Sequence, residues 1–203
     1  MHKPDRRHFL TAVMTACLFM YAARSTSQVI FLEGGYSEHC ANAAWQSDRP
    51  EDTLVTGSRL GLSPVEVCTR AIIEEGDNRA ANYNNRGVIH FASQDINAAL
   101  VDFDAAIQLQ EGQEQFHFNR GLALARLERW HESLVSFNRG IELAGDPPPE
   151  TDTTRLAEIY YNRAVAHEET GDVRRAYFDY RRATELAPDW AAPREDLARF
   201  SVR

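Results

Sequence analysis

Lysine is nearly missing from these 203 residues: Lys3 is the only one, and every later basic residue is arginine. That bias reflects a GC-rich genome and carries no functional conclusion. Signatures of chemistry are missing as well. There is no Gly-x-Ser-x-Gly, no phosphate loop and no Cys-x-x-Cys, which excludes the local marks of a serine nucleophile elbow, a nucleotide-phosphate cradle and a dithiol redox centre. His131-Glu132 and His167-Glu168 each begin a zinc-protease pattern, but Val135 and Gly171 stand where the second histidine belongs. Each lacks one ligand and is no metal site by itself. The reading is a non-enzymatic chain without cofactor or metal.

Long apolar runs are missing too. Phe9 to Ala23 spans 15 residues, about 22 Å of helix against about 30 Å of bilayer hydrocarbon, too short for a comfortable span. His2, Lys3, Arg6 and Arg7 precede it and Ala23-Arg24-Ser25 closes it. Residues 1–25 therefore read as an export signal, with the mature chain beginning near Thr26 and carrying no integral membrane span. Two routes stay open: Arg6-Arg7-His8-Phe9-Leu10 resembles the twin-arginine motif, and a general secretory signal with two ordinary arginines fits as well. An uncleaved anchor is a weaker reading. So is a lipoprotein site at Met14-Thr15-Ala16-Cys17, because the apolar run continues through Leu18, Phe19 and Met20. The expected location is periplasmic or secreted.

Base is scarce beside acid. Removing residues 1–25 takes four of the 22 basic residues and one of the 30 acidic ones, leaving 18 against 29 and a net charge of −11. This balance argues against nucleic acid and anionic membrane surfaces as partners. Cysteine is scarce as well: after the leader only Cys40 and Cys68 remain, and in an oxidising compartment an even pair usually forms a disulfide. Ser63-Pro64-Val65-Glu66 is a capping box with proline at the first helical position, and Gly76 is expected to close that helix. Val65, Cys68, Ala71 and Ile72 share its apolar face, as Tyr36, Cys40, Ala43 and Ala44 do on a helix from Ser37 to Gln46. Residues 26–79 thus read as a divergent helix pair stapled by Cys40 and Cys68, joined through a polar connection over residues 47–62. Two buried free thiols are the alternative; a metal site has only His39 nearby in sequence.

What remains is repetition. Aligned on Gly87, Gly121 and Ala164, the chain places Ala99, Ser133 and Ala176 twelve residues on, Phe103, Phe137 and Tyr180 sixteen on, and Ala106, Gly140 and Ala183 nineteen on. The first two copies repeat at 34 residues, and the third lies 43 on, one period plus nine inserted residues. Small residues let two helix backbones approach, and an aromatic four residues after the second small one fills the gap beside it. Each copy is then a helix, a turn and a helix: Arg79–Ala92 with Ile96–Leu109, Glu114–Leu127 with Trp130–Leu143, and Leu156–Glu169 with Val173–Leu186. A period in this range marks a solenoid. The copies occupy 80–113, 114–147 and 157–190. Residues 148–156, opened by Pro148 and Pro149, form a stiff insertion, and 191–203 a capping helix with Leu197 and Ala198 inward and Arg194, Glu195, Asp196 and Arg199 around them.

These residues resemble the tetratricopeptide repeat family: a small residue in the first helix, Ala-x-x-x-Phe in the second and proline at the end. Pro188 closes the third copy, where Glu111 and Gly145 stand in the first two. Tyr83, His117 and Tyr160 hold the early aromatic place, and Arg86, Arg120 and Arg163 replace the usual leucine. The resemblance implies an all-α fold, a right-handed α-solenoid of helix-turn-helix repeats with caps at both ends. It also implies that first helices line a concave surface carrying Asn84, Asn85, Val88 and Phe91, then Gln115, Phe118, Asn119, Leu122 and Arg126, then Tyr161, Asn162, Val165 and Glu169. Amides there suit a peptide backbone and aromatics suit apolar side chains, although Asn85, Asn119 and Asn162 form a ladder that would serve equally to join repeats. The lysines and arginines with which some members hold a C-terminal carboxylate are replaced by Asn84, Phe118, Tyr161, Val88 and Leu122, so that mode is not expected. Arg86 recurs with Asp102 sixteen residues on, and Arg163 with Asp179; Arg120 has Ser136 there. Ion pairs Arg86–Asp102 and Arg163–Asp179 are expected to fix helix register, while His90 and His167 pack between helices. The function expected is a monomeric scaffold for a protein or peptide partner. The alternative is a membrane-anchored assembly factor of an envelope complex.

Overall fold

Nine α-helices carry the described residues, 35–47, 62–76, 78–145 and 153–201, of this computed structural model. They are α1 (Tyr36–Ser47), α2 (Pro64–Glu74), α3 (Arg79–Ala92), α4 (Ile96–Leu109), α5 (Glu114–Arg126), α6 (Trp130–Ala144), α7 (Thr153–Glu169), α8 (Val173–Leu186) and α9 (Ala191–Ala198), the last running into a 3-10 turn at Arg199–Ser201. No strand occurs among the described residues. The expectations for the leader at 1–25, the connection across 48–61 and the prolines Pro147–Pro149 fall outside them.

Helices pair as α1 with α2, α3 with α4, α5 with α6 and α7 with α8, and each pair stacks on the next. The result is an all-α, right-handed solenoid. The small residues explain the pairing. A Cβ on Gly87 would lie 2.6 Å from the Phe103 ring, and one on Gly121 only 2.5 Å from Phe137. Glycine is required at these two positions, where the phenylalanine of the second helix lies on the backbone of the first. The interhelical turns also repeat: seven residues after each small residue stand Gln94, Glu128 and Gly171, all at positive φ. Glycine meets this need only in the third copy. Asp95 and Asp172 then cap α4 and α8, each accepting from the backbone three residues on.

Ser63 and Glu66 form the reciprocal capping box at the start of α2, with Pro64 in its first turn. Gly76 does not close that helix. Its end is held by Glu75, whose N–H bonds to Ala71 O and whose carboxylate crosses to α1, accepting from the N–H groups of Tyr36 and Ser37. Burial opposes its charge, yet these hydrogen bonds hold the Glu75 carboxyl below the usual range. Val67, more deeply buried than Val65, completes the inner face of α2 with Cys68, Ala71 and Ile72.

Register identifies the first pair. Arg86 reaches back to Thr69, 17 residues earlier, as Arg120 reaches Asp104, 16 residues earlier, and Arg163 reaches Asn138, 25 residues earlier across the insertion. Thr69 thus stands where Asp104 and Asn138 stand. Cys68 then occupies the position of Phe103 and Phe137, and Cys40, its neighbour across the pair, that of Gly87 and Gly121. Where the next two pairs set phenylalanine on glycine, the first sets one cysteine on another, with Sγ atoms 2.17 Å and Cα atoms 4.6 Å apart and both residues fully buried.

The third repeat departs from expectation at both ends. Helix α7 begins at Thr153, so the last residues assigned to the proline insertion are helical. Leu156 and Ala157 are buried, and Arg155 pairs with Glu114 on α5. At the far end Asp196 is not on the outer face. It is buried against the repeat and accepts from the Tyr161 hydroxyl at 2.8 Å, while Arg199 ties the cap to Glu168 at 2.9 Å. Trp190 and Pro193 are buried beside it, with Leu197 and Phe200 packed on the same cluster.

Candidate partner-binding surface

A polar spine holds the stack. Arg86 donates through Nε and Nη2 to both carboxylate oxygens of Asp102, at 2.8 and 2.7 Å, and Arg163 does the same to Asp179 at the same distances. The third nitrogen of each reaches the preceding pair, at Thr69 Oγ1 (3.0 Å) and Asn138 Oδ1 (2.8 Å). Arg120 divides itself between Ser136 Oγ at 2.7 Å and the Asp104 carboxylate. Each guanidinium therefore joins the two helices of its own repeat and ties that repeat to the one before. A planar fork with five donors can do both, which an ammonium cannot. Tyr83 and Tyr160 lie under Arg86 and Arg163, ring centroids 5.4 and 5.0 Å from the guanidinium carbon.

The histidines follow the aspartates. His90 lies 3.9 Å from Asp102 and His167 3.8 Å from Asp179, whereas the second repeat, with Ser136, has Leu124 at the matching place. Burial holds the His167 imidazole below its ordinary value, more strongly than Asp179 pulls it up. The folded chain thus favours neutral His167. Its contribution to stability is complete above the unfolded value of about 6.5 and is lost as pH falls through the lower folded value, because the unfolded chain takes up the proton first. Thermal melts at about pH 7.5 and about pH 5.5 should show a larger drop for wild type than for His167→Leu, which installs the side chain of the second repeat; equal drops would contradict this.

The inner surface differs from expectation. Phe118 and Tyr161 are 3% and 1% exposed, and Asn84, Phe91 and Asn162 are also buried; none of the five offers its side chain to a ligand. Phe118 packs with Phe137 and Ile159, its ring 6.1 Å from that of Phe137, and Tyr161 lies between Tyr180 and Trp190, at 5.6 and 4.8 Å. These positions are covered because the next first helix lies over each: α7 brings Ile159, and the segment entering α9 brings Trp190. Along the asparagine ladder, Asn119 donates to Asn84 across the repeat boundary at 2.8 Å, and Asn162 donates to Glu158 O of its own helix.

What stays accessible is a narrower strip. Asn85, Val88, Gln115, Asn119, Leu122, Arg126 and Val165 are half-buried, and Glu169 is exposed. Val88, Leu122 and Val165 each follow the small residue that anchors their repeat, so the strip carries one apolar side chain per repeat with amides between. Glu169 borders a cleft of about 420 Å³ that also includes Glu128, Trp130, His131 and Thr170. Among the described residues no group of three or more His, Cys, Asp or Glu side chains is placed to hold a metal ion, and no helix is long and apolar enough to cross a membrane.

Comparison with known proteins bears on this geometry. The sequence pattern described as tetratricopeptide repeat matches residues 157–190. Among curated proteins, the Protein STIP1 homolog of Dictyostelium discoideum is 31% identical over 74 residues, 36% of this chain and 13% of that protein. Serine/threonine-protein phosphatase 5 of Mus musculus is 27% identical over 111 residues, 55% of this chain and 20% of that protein. The chain spans a fifth or less of the length of these relatives. Among solved structures, MamA from Desulfovibrio magneticus RS-1 (residues 41 to the end) superposes with a TM-score of 0.63 at 16% identity, over 85% of this chain and 87% of that one. The first such domain of Spaghetti (RPAP3), bound to the HSP90 peptide SRMEEVD, gives 0.54 at 19% identity, over 60% and 90%. At these identities the structural likeness is one of fold alone.

Proposed function

Because this chain is a tetratricopeptide-repeat protein, we propose that it is an exported, non-enzymatic and monomeric scaffold that takes up a peptide or protein partner along its inner strip. The observation that carries the reading is the strip itself: one half-open apolar side chain recurs at equal offsets through three stacked repeats, at Val88, Leu122 and Val165, and a half-open amide stands at equal offset beside it in the first two, at Asn85 and Asn119. Amides can bond an extended peptide backbone, and the apolar positions, one per repeat, can take up its side chains. Helices locked by the arginine spine lose little freedom on association, so modest contacts become useful affinity. The peptide-bound Spaghetti domain of the same fold supports the partner class. The leader pattern supports export, and the apposition of Cys40 and Cys68, with a Cα separation of 4.6 Å inside the range a disulfide spans, supports a bridge that forms there.

Site-specific photo-crosslinking tests the binding surface. A photoreactive residue at Asn119 or Leu122 is expected to yield partner adducts in the native cell, while one at Glu142, exposed on the second helix of the same repeat, yields few. Adducts at Glu142 without any at Asn119 or Leu122 would overturn the reading.

A further inference from the structure

Three exposed apolar side chains, Val101, Val135 and Phe178, stand fourteen residues after the aligning small residues, at 68%, 66% and 44% exposure. They form a row along the outer, second helices. In the first two repeats the flanking positions, ten and seventeen residues after the small residue, hold Asn97 and Asp104, then His131 and Asn138; in the third they hold Arg174 and Arg181. The change at the second of these positions has a structural setting. Asp104 and Asn138 accept from the arginine of the following repeat, but after the third repeat the spine ends, because Leu197 takes the place of that arginine on α9. Arg181 is left facing outward.

The outer face of α8 is consequently unlike the rest of an acidic protein. Arg174 and Arg181, seven residues apart, lie along its crest, about 10 Å from one another. Phe178 lies on one flank with Arg175 and Arg182, and Val173 and Tyr177 on the other, all on the solvent side opposite the buried Ala176, Asp179, Tyr180 and Ala183. Arg174 makes no ion pair among the described residues, and Arg181 stacks over Phe178 at 5.2 Å. Glu185 is the one acid on this face, pairing with Arg181 at 3.5 Å and Arg182 at 3.3 Å; Asp172 pairs with Arg175 at its edge.

We propose that the outer face of α8 is a second docking surface, for a short acidic polypeptide segment that also carries apolar side chains. Charge complementarity selects the acid, and Val173, Tyr177 and Phe178 select the apolar residues. A membrane is the poorer fit, because Arg174 and Arg181 bracket the touching Tyr177 and Phe178 rings, centroids 5.5 Å apart, on one face, whereas a helix lying in lipid keeps its basic and apolar faces opposite. A long nucleic acid or a charged bilayer would also extend past the patch and meet Glu132 and Glu142 of the neighbouring outer helix, on a chain of net charge −8. A segment of a few residues stays within about one Debye length of the arginines, roughly 8 Å at physiological salt.

The test uses the full chain and a fluorescein-labelled synthetic peptide of alternating glutamate and phenylalanine, read by anisotropy. Saturable binding is expected, weakened about tenfold or more by R174E/R181E and by added salt, and unchanged in Asn119→Ala on the inner strip, so that failure of one surface is distinguished from failure of the other. Matched thermal melts establish that the reversed variant folds. No binding by wild type, equal binding by R174E/R181E, or stronger charge-dependent binding to phosphatidylglycerol vesicles or a single-stranded oligonucleotide than to the peptide would each overturn the proposal.

Discussion

Replacing Tyr161 with alanine is expected to destabilise the fold by about 4 kcal/mol, the cost of emptying a fully buried aromatic site. The ring is 1% exposed, packs on both Tyr180 and Trp190, and carries the hydroxyl that satisfies buried Asp196. Burial raises the Asp196 carboxyl above its ordinary range, against the pull of the Tyr161 hydroxyl and Arg199. Losing the hydroxyl therefore removes a hydrogen bond from a group already costly to ionise there. Tyr161→Phe separates the two parts: it keeps the ring and should cost about 1 to 2 kcal/mol. Denaturant unfolding of the three proteins measures both values. A surface aromatic would instead tolerate alanine with little change, and a loss below about 1 kcal/mol for Tyr161→Ala would place the ring on an open groove after all.

The second large effect lies in the spine. Arg86→Ala leaves Asp102, 2% exposed, without its two-pronged partner and with His90 at 3.9 Å. Removing one member of a buried pair costs about 3 kcal/mol at the lower end of the usual range, fitting an arginine that is partly exposed itself. Arg120→Ala leaves behind Ser136, which also bonds Glu132 O, and Asp104, whose side chain is 44% exposed; about 1 kcal/mol is expected. In a chain of this size these become melting shifts of roughly 6 to 12 °C and roughly 2 to 4 °C. Arg86→Lys should fall between them, since an ammonium keeps the charge and loses the fork. A larger shift for Arg120→Ala than for Arg86→Ala would defeat the spine as described.

The periodic part of the chain was legible because its causes are local. Small residues and aromatics at fixed offsets locate Arg79–Ala92, Ile96–Leu109 and Val173–Leu186 at the ends the structure has, and Ser63 with Glu66 opens α2 through contacts three residues long. Long-range contacts between unlike residues were not legible. Nothing in the sequence connects Glu75 to the backbone of Tyr36, or Asp196 to Tyr161, and Thr69, Asp104 and Asn138 share a role under three chemistries. The inner surface was misplaced for a related reason. A family pattern places Phe118 and Tyr161 on first helices, but whether they are open depends on the next helix, and Ile159 and Trp190 close them. Gln94 and Glu128 hide the turn that Gly171 advertises, because both tolerate a positive φ that glycine would adopt more easily.

The compartment decides which proteins can ever meet these surfaces, and the first helix pair is where fold and compartment touch, since Cys40 and Cys68 stand in place of a phenylalanine on a glycine. The deciding measurement is the intact mass of the protein purified from its native envelope, with thiol alkylation before and after reduction. A chain beginning near Thr26 whose two thiols become labelled only after reduction is the predicted result. A chain beginning at Met1, a lipid on Cys17, or thiols that label without reduction would contradict the exported, bridged scaffold and return the search for a partner to the cytoplasm or the inner membrane.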